Sequence, residues 1–232
     1  DRLATAADQT VDLAEVRDAL RHSAVLPSAF DARARRIASA IRAICVDPSA
    51  AQLQAACKEL DGMRRHRRSQ RPADAALVEQ ATAGLRLAAW LVQVAAAPAE
   101  ETAKGAAAEV ARLASAFVRE GAWLERCCSQ LRTTTDAPLG KALQRIAALV
   151  NAARDAEDAR FAAALATWQR HGRAAGAVLP IEAVLDRIAA RYLGLSAESR
   201  LLVLVLDGLS WPKATELADD LEHHGYQPLR WQ

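Results

Sequence analysis

From residue 1 to about residue 178 the apolar side chains recur three and four positions apart, with alanine filling much of the space between them. That spacing lines one stripe of a helix and no face of a strand. About a quarter of the 232 residues are Ala, the best helix former. Thr10 can cap a helix carrying Leu13, Val16 and Leu20. Ser28, with Asp31 three residues on as in a capping box, opens a second through Ile37, Ile41 and Ile44. Asp47-Pro48 stops it, because Pro cannot continue the ladder. A third helix is predicted from Ser49 to Leu60, ending at Asp61-Gly62. The next runs from Pro72 to about Ala96 with Leu77, Leu85, Trp90 and Leu91 as its stripe. Pro98 starts another, which bends near Gly121 and continues to about Arg132. Thr133 to Asp136 form a polar turn, and Asp136 caps a long helix reaching about Gln169 before Gly172 and Gly176 break the pattern. Five or six antiparallel helices with short connections make a bundle, so residues 1–178 are predicted to be a helical interaction or scaffold region.

Charge and composition remove several classes of function. The 30 basic and 28 acidic residues leave a net +2, so no global field draws the chain to nucleic acid or an anionic membrane. The longest apolar run, Leu87 to Ala97, is interrupted by Gln93 and is far shorter than the roughly 20 residues that cross a bilayer. No basic segment followed by an apolar one opens the chain as a signal peptide would. The expectation is a cytoplasmic protein with no membrane partner. The missing initiator Met suggests an excised piece of something longer.

No fixed-period repeat, HExxH motif or paired Glu-x-x-His arrangement is present. Cys45, Cys57, Cys127 and Cys128 fit no metal-ligand spacing, and adjacent Cys127 and Cys128 on a helix point about 100° apart. They are expected to be reduced thiols. His22, His66 and His171 stand alone near predicted helix ends, where a charged imidazole favours the negative end of the dipole.

One local charge run stands out: Arg64, Arg65, His66, Arg67, Arg68 and Arg71, between two helices. It can grip phosphates, of DNA or of a ligand. It can equally be a solvated connector, and no aromatic is interleaved with it for stacking on bases.

The last fifty-odd residues are patterned differently. Leu179-Pro180-Ile181-Glu182 opens a helix with Val184, Leu185, Ile188 and Tyr192 as its stripe, followed by a turn from Gly194 to Ser199. Then come six consecutive branched apolar residues, Leu201 to Leu206, with no polar alternation. They read as a strand buried on both faces, ending at Asp207-Gly208. A helix with Pro212 near its start and Leu217 and Leu221 on one face follows, closed by Gly225. Tyr226 to Trp231 can begin a second strand. The order strand, loop, helix, strand opens an α/β sheet. An acidic residue at the carboxyl end of a buried parallel strand is placed for chemistry. Asp207 can be such a residue, or a loop or capping Asp.

The run Leu-Leu-Val-Leu-Val-Leu-Asp-Gly-Leu-Ser-Trp (201–211), with Ala214, Glu216-Leu217-Ala218 and the helix end at Gly225-Tyr226, resembles the start of a PglZ domain. PglZ proteins belong to the BREX bacteriophage-resistance systems, and their catalytic domain resembles the alkaline phosphatase superfamily. Residues 178–189 are similar to the lead-in of the type 2 members. The resemblance covers about a quarter of the chain.

The helical bundle read from the periodicity carries no motif of the family; after it the resemblance implies residues 179–232 as a linker helix and the first strand-helix unit of a truncated α/β domain, so that the whole chain is mainly α. The resemblance also implies that Asp207 matches the superfamily's metal ligand at the end of the first core strand. It places a divalent metal, zinc by preference, in the full-length parent, with none held by this piece. The family's Ser or Thr nucleophile and its other ligands come later in the chain. Ser210 is better read as a loop or capping hydroxyl, and His223 and His224 as surface groups. Three functional readings follow. The chain is the front of a PglZ-like phosphatase or phosphodiesterase; or a helical module docking other BREX proteins, or DNA through Arg64, Arg65, Arg67 and Arg68; or a helical scaffold with an incidental Asp-Gly turn.

Overall fold

The structure is a computed structural model and describes residues 3, 5–7, 22–97, 105–131, 137–171 and 178–227. The helix predicted after Thr10, the start at Pro98, the cap at Asp136 and the breaks at Gly172 and Gly176 lie outside those residues. The described residues are mainly helical.

Helix α1 runs Pro27–Ile44, with Pro27 in the first turn, where its missing N–H has no intrahelical partner to lose. Phe30, Ile37, Ile41 and Ile44 are buried at the spacing read from the sequence. The capping box expected at Ser28 does not form, because the helix begins at Pro27 and no side chain caps it at Leu26. Upstream, the Ser23 hydroxyl accepts from the N–H groups of Val25 and Leu26, each at 3.1 Å.

Helix α2, Ala50–Arg64, runs through Asp61-Gly62 rather than stopping there. Gly62 is a packing glycine: the Arg33 side chain lies where its Cβ would be. A 3-10 turn, Arg67–Gln70, leads into α3, Pro72–Ala96, with the predicted bounds. Helix α4 is Ala106–Ala116 and α5 is Ala122–Gln130, joined by a π-helical turn, Phe117–Gly121. A bend is expected from the sequence near Gly121, the last residue of this turn, where the Phe117 ring fills the space a side chain would need. Helix α6 spans 34 residues, Ala137–Arg170.

The chain packs as two compact units: Asp1–Glu100 with Leu124–Asp155, and Glu101–Trp123 with Ala156–Gln232. In the first unit α1 packs on α2 and α3, and α2 on α3. Its core holds Phe30, Ile37 and Ile41 of α1, Met63 of α2, Leu87 of α3, Leu124 of α5, and Leu143 and Ile146 of α6. Each such side chain is worth about 1.5–3 kcal/mol of burial. At Gly84, α3 comes close to α6: a Cβ there would collide with Leu143, and would meet Ile41 Cδ1 at 3.5 Å.

In the second unit Val110 and Leu113 of α4 and Trp168 of α6 are buried. The helix predicted after Leu179 is wound as a 3-10 turn, Ile181–Ala183, a π-helical turn, Leu185–Ala189, and α7, Ala190–Leu193. Helix α8, Trp211–His223, has Pro212 in its first turn, and Gly225 lies just beyond it at φ 89°. The strand predicted over Leu201 to Leu206 is not formed. Those residues are neither helix nor strand, and Leu202, Leu204 and Val205 are 88%, 70% and 79% exposed. A strand needs a neighbouring ladder for its N–H and C=O groups, and no strand is present among the described residues to supply one.

Candidate functional site

The arginine run folds into a corner whose residues divide into inward and outward groups. His66, expected as a charged group at a helix end, is instead 1% exposed and hydrogen-bonded at both ring nitrogens. Its partners are the Leu26 carbonyl oxygen, 3.0 Å from Nε2, and the Arg68 N–H, 3.1 Å from Nδ1. Burial holds its pKa below the ordinary histidine value, and Arg33 and Arg68 push the same way against the Leu26 carbonyl and Asp31.

Arg68 also turns inward. Its Nε and Nη2 donate to the two carboxylate oxygens of Asp74 at 3.0 and 2.9 Å. Nη1 donates to Asp31 at 2.7 Å and to the Pro27 carbonyl at 3.3 Å. The Asp74 hydrogen bond, reinforced by Asp31, raises its pKa further. A guanidinium held on four acceptors offers little to a phosphate.

Arg64, Arg65 and Arg67 are exposed. Arg64 reaches Thr82 Oγ1 at 3.1 Å and Asp61 at 3.5 Å. The Arg67 N–H donates to the Ala24 carbonyl at 2.8 Å, and the residue is exposed. Behind them lies Arg33, donating to the Ser23 carbonyl at 2.8 Å. Burial lowers its pKa, with Glu59 opposing and Arg36 and Arg65 adding. Glu59 takes both Nε and Nη2 of Arg36, at 2.7 and 3.0 Å. Three of the four arginines singled out from the sequence are thus brought together facing outward, and the fourth fastens the corner.

No local pattern around the arginine run marks the partners that fasten it. Asp31, Phe30 and Leu26 lie roughly forty positions upstream of His66 and Arg68, beyond the reach of any local spacing rule.

Asp207 sits in an exposed turn with Gly208, whose φ of 71° suits glycine. Ser210 precedes α8 at the capping position but makes no side-chain capping bond. His223 and His224 are exposed and donate Nδ1–H to the carbonyls of Asp219 and Asp220 at 2.6 and 2.7 Å. Among the described residues no group of three His, Cys, Asp or Glu side chains comes together as a metal site. Among the described residues, no helix is long and apolar enough to cross a membrane. No family model, no curated protein and no solved structure matches the chain.

Proposed function

We propose that the chain is the N-terminal portion of a PglZ-like, metal-dependent phosphatase or phosphodiesterase of a cytoplasmic BREX phage-defence system. In this reading the helical residues dock other BREX proteins, and Asp207 is one ligand of a divalent metal, zinc by preference. The observation that carries the reading is the stretch from Leu201 to Trp211. Six apolar residues stand exposed directly before an Asp-Gly turn, and the following helix, α8, leaves Leu217 and Leu221 exposed as well. In this reading they are a first core strand and its helix without their sheet. On the same reading the strand's neighbours, the remaining ligands and the nucleophile are supplied by other parts of the full-length parent. The test is metal content and hydrolysis of bis(p-nitrophenyl) phosphate by the full-length parent, with and without Asp207→Ala. Loss of both in a folded mutant supports the reading; full activity in a metal-loaded mutant overturns it.

The arginine corner supports a second reading, a helical module that contacts DNA phosphates through Arg64, Arg65 and Arg67. Binding of a short duplex, followed by fluorescence anisotropy over a salt series, tests it. Arg67→Gln should reduce the slope of log K against log salt by about 1 and weaken all sequences alike. An unchanged slope in the triple Gln variant sinks this reading.

A further inference from the structure

His66 faces two groups with opposite demands. The Leu26 carbonyl at Nε2 can only accept, and the Arg68 N–H at Nδ1 can only donate. One arrangement satisfies both: a proton on Nε2, a lone pair on Nδ1 and a neutral ring. The ring is buried and tilted against Phe30, with centroids 5.3 Å apart.

We propose that His66 is a proton-operated latch that fastens the connector between α2 and α3 to the start of α1 when neutral and releases it when charged. A second proton can go only to Nδ1. There it turns an acceptor into a donor facing the Arg68 N–H, and that hydrogen bond is lost. The new cation would lie beside Arg33 of α1 and Arg68 of the 3-10 turn. The carboxylates facing this region are already matched to guanidinium groups: Asp31 of α1 and Asp74 of α3 to Arg68, and Glu59 of α2 to Arg36 and Arg33.

Other bonds hold the same seam and are freed with it. The Arg67 N–H donates to the Ala24 carbonyl, and Arg68 Nη1 to the Pro27 carbonyl. The latch therefore governs how the exposed guanidinium of Arg67 is presented, whatever it meets. It does not rest on the phosphatase reading.

The direction with pH follows from linkage. The closed state binds the proton more weakly than a solvated imidazole with a pKa of about 6.5. The open state therefore takes up the proton first as pH falls. Opening becomes more favourable by up to about tenfold per pH unit below roughly 6.5, until the ring titrates in the closed state too. Above that range the latch is fully fastened.

The test is long-range proton–nitrogen correlation spectroscopy of the imidazoles of the whole chain between about pH 8 and about pH 4.5, with amide hydrogen exchange over the same range. His66 should show the neutral Nε2–H pattern and titrate below the ordinary histidine value of about 6.5. Protection factors at the Arg67 and Arg68 amides should fall with pH while those at Ile41 and Leu87 hold level. In His66→Gln, which takes up no proton, that local pH dependence should vanish. An Nδ1–H tautomer, titration of His66 at or above the ordinary histidine value, or protection at Arg67 and Arg68 that ignores pH would overturn the proposal. These three readouts come from the wild-type chain and stand even where His66→Gln does not fold.

Discussion

The guanidinium of Arg68 lies 4.6 Å from the centroid of the Phe30 ring while its far edge grips Asp74 at two points. One side chain thereby joins α1, the connector and the start of α3. A planar, stacked, bidentate fork can do all three at once; a point charge on a flexible stem cannot.

Arg68→Lys should therefore destabilise the first unit by about 2 kcal/mol, and Arg68→Ala by about 3 kcal/mol, since Asp74, 13% exposed, would lose both its bonds. Urea unfolding is the measurement, with the midpoint falling at unchanged slope. A lysine variant within about 0.5 kcal/mol of wild type would reduce Arg68 to a surface charge.

Gly84→Ala puts two effects in opposition. Replacing a glycine inside a helix gains up to about 1 kcal/mol in propensity. The new methyl would collide with Leu143 in a well-packed core, which costs about 1–3 kcal/mol. The clash should win, for a net loss of about 1–2 kcal/mol. In a Leu143→Ala background the same change should become neutral or stabilising, and a double-mutant cycle reads the coupling directly. Additive effects would show that α3 and α6 do not meet at Gly84.

The helices of the first unit were legible because their information is local. The stripe Ile37, Ile41, Ile44 and the Pro72 start each lie within one element, and α3 has the bounds its sequence predicted. Gly62 misled as a helix stop because its reason, Arg33, sits on another helix. His66 misled likewise, read as a charged end group when its partners lie at Leu26 and on the connector. The Leu201 to Leu206 run reads as a buried strand because it is unbroken and apolar, but a strand is completed by its neighbours and not by its own residues. The outward-facing arginines could be named from the sequence. Their separation from Arg68 could not, because it depends on Asp31 and Asp74.

The cysteines should separate by reactivity, since the thiolate is the reacting form. Cys57 is exposed. Cys127 is 2% exposed, and burial raises its pKa against the pull of Arg86 and Arg126. Cys45 is half-buried and is raised the same way, with Arg145 opposing. Iodoacetamide at about pH 8 should label Cys57 first, Cys45 at least about tenfold more slowly, and Cys127 only as the unit opens. Mass spectrometry over time gives the order, and urea should equalise the three. Native labelling of Cys127 as fast as Cys57 would mean the α5 side of the core is open.

The apolar run before Asp207 allows the sharpest comparison. Leu202 and Val205 stand in solvent, so Leu202→Asp and Val205→Asp should change stability by less than about 0.5 kcal/mol. Ile41→Ala, fully buried, should lose about 2–5 kcal/mol in the same assay. The two aspartates should also suppress self-association on concentration, read by light scattering, because uncharged apolar segments without Pro pair edge to edge. In the full-length parent the phosphatase reading buries this run on both faces of a sheet, and the same substitutions should then cost several kcal/mol. A stability loss in the present chain would show the run already packed. Tolerance in both settings would remove the strand, and with it the case for Asp207 as a metal ligand.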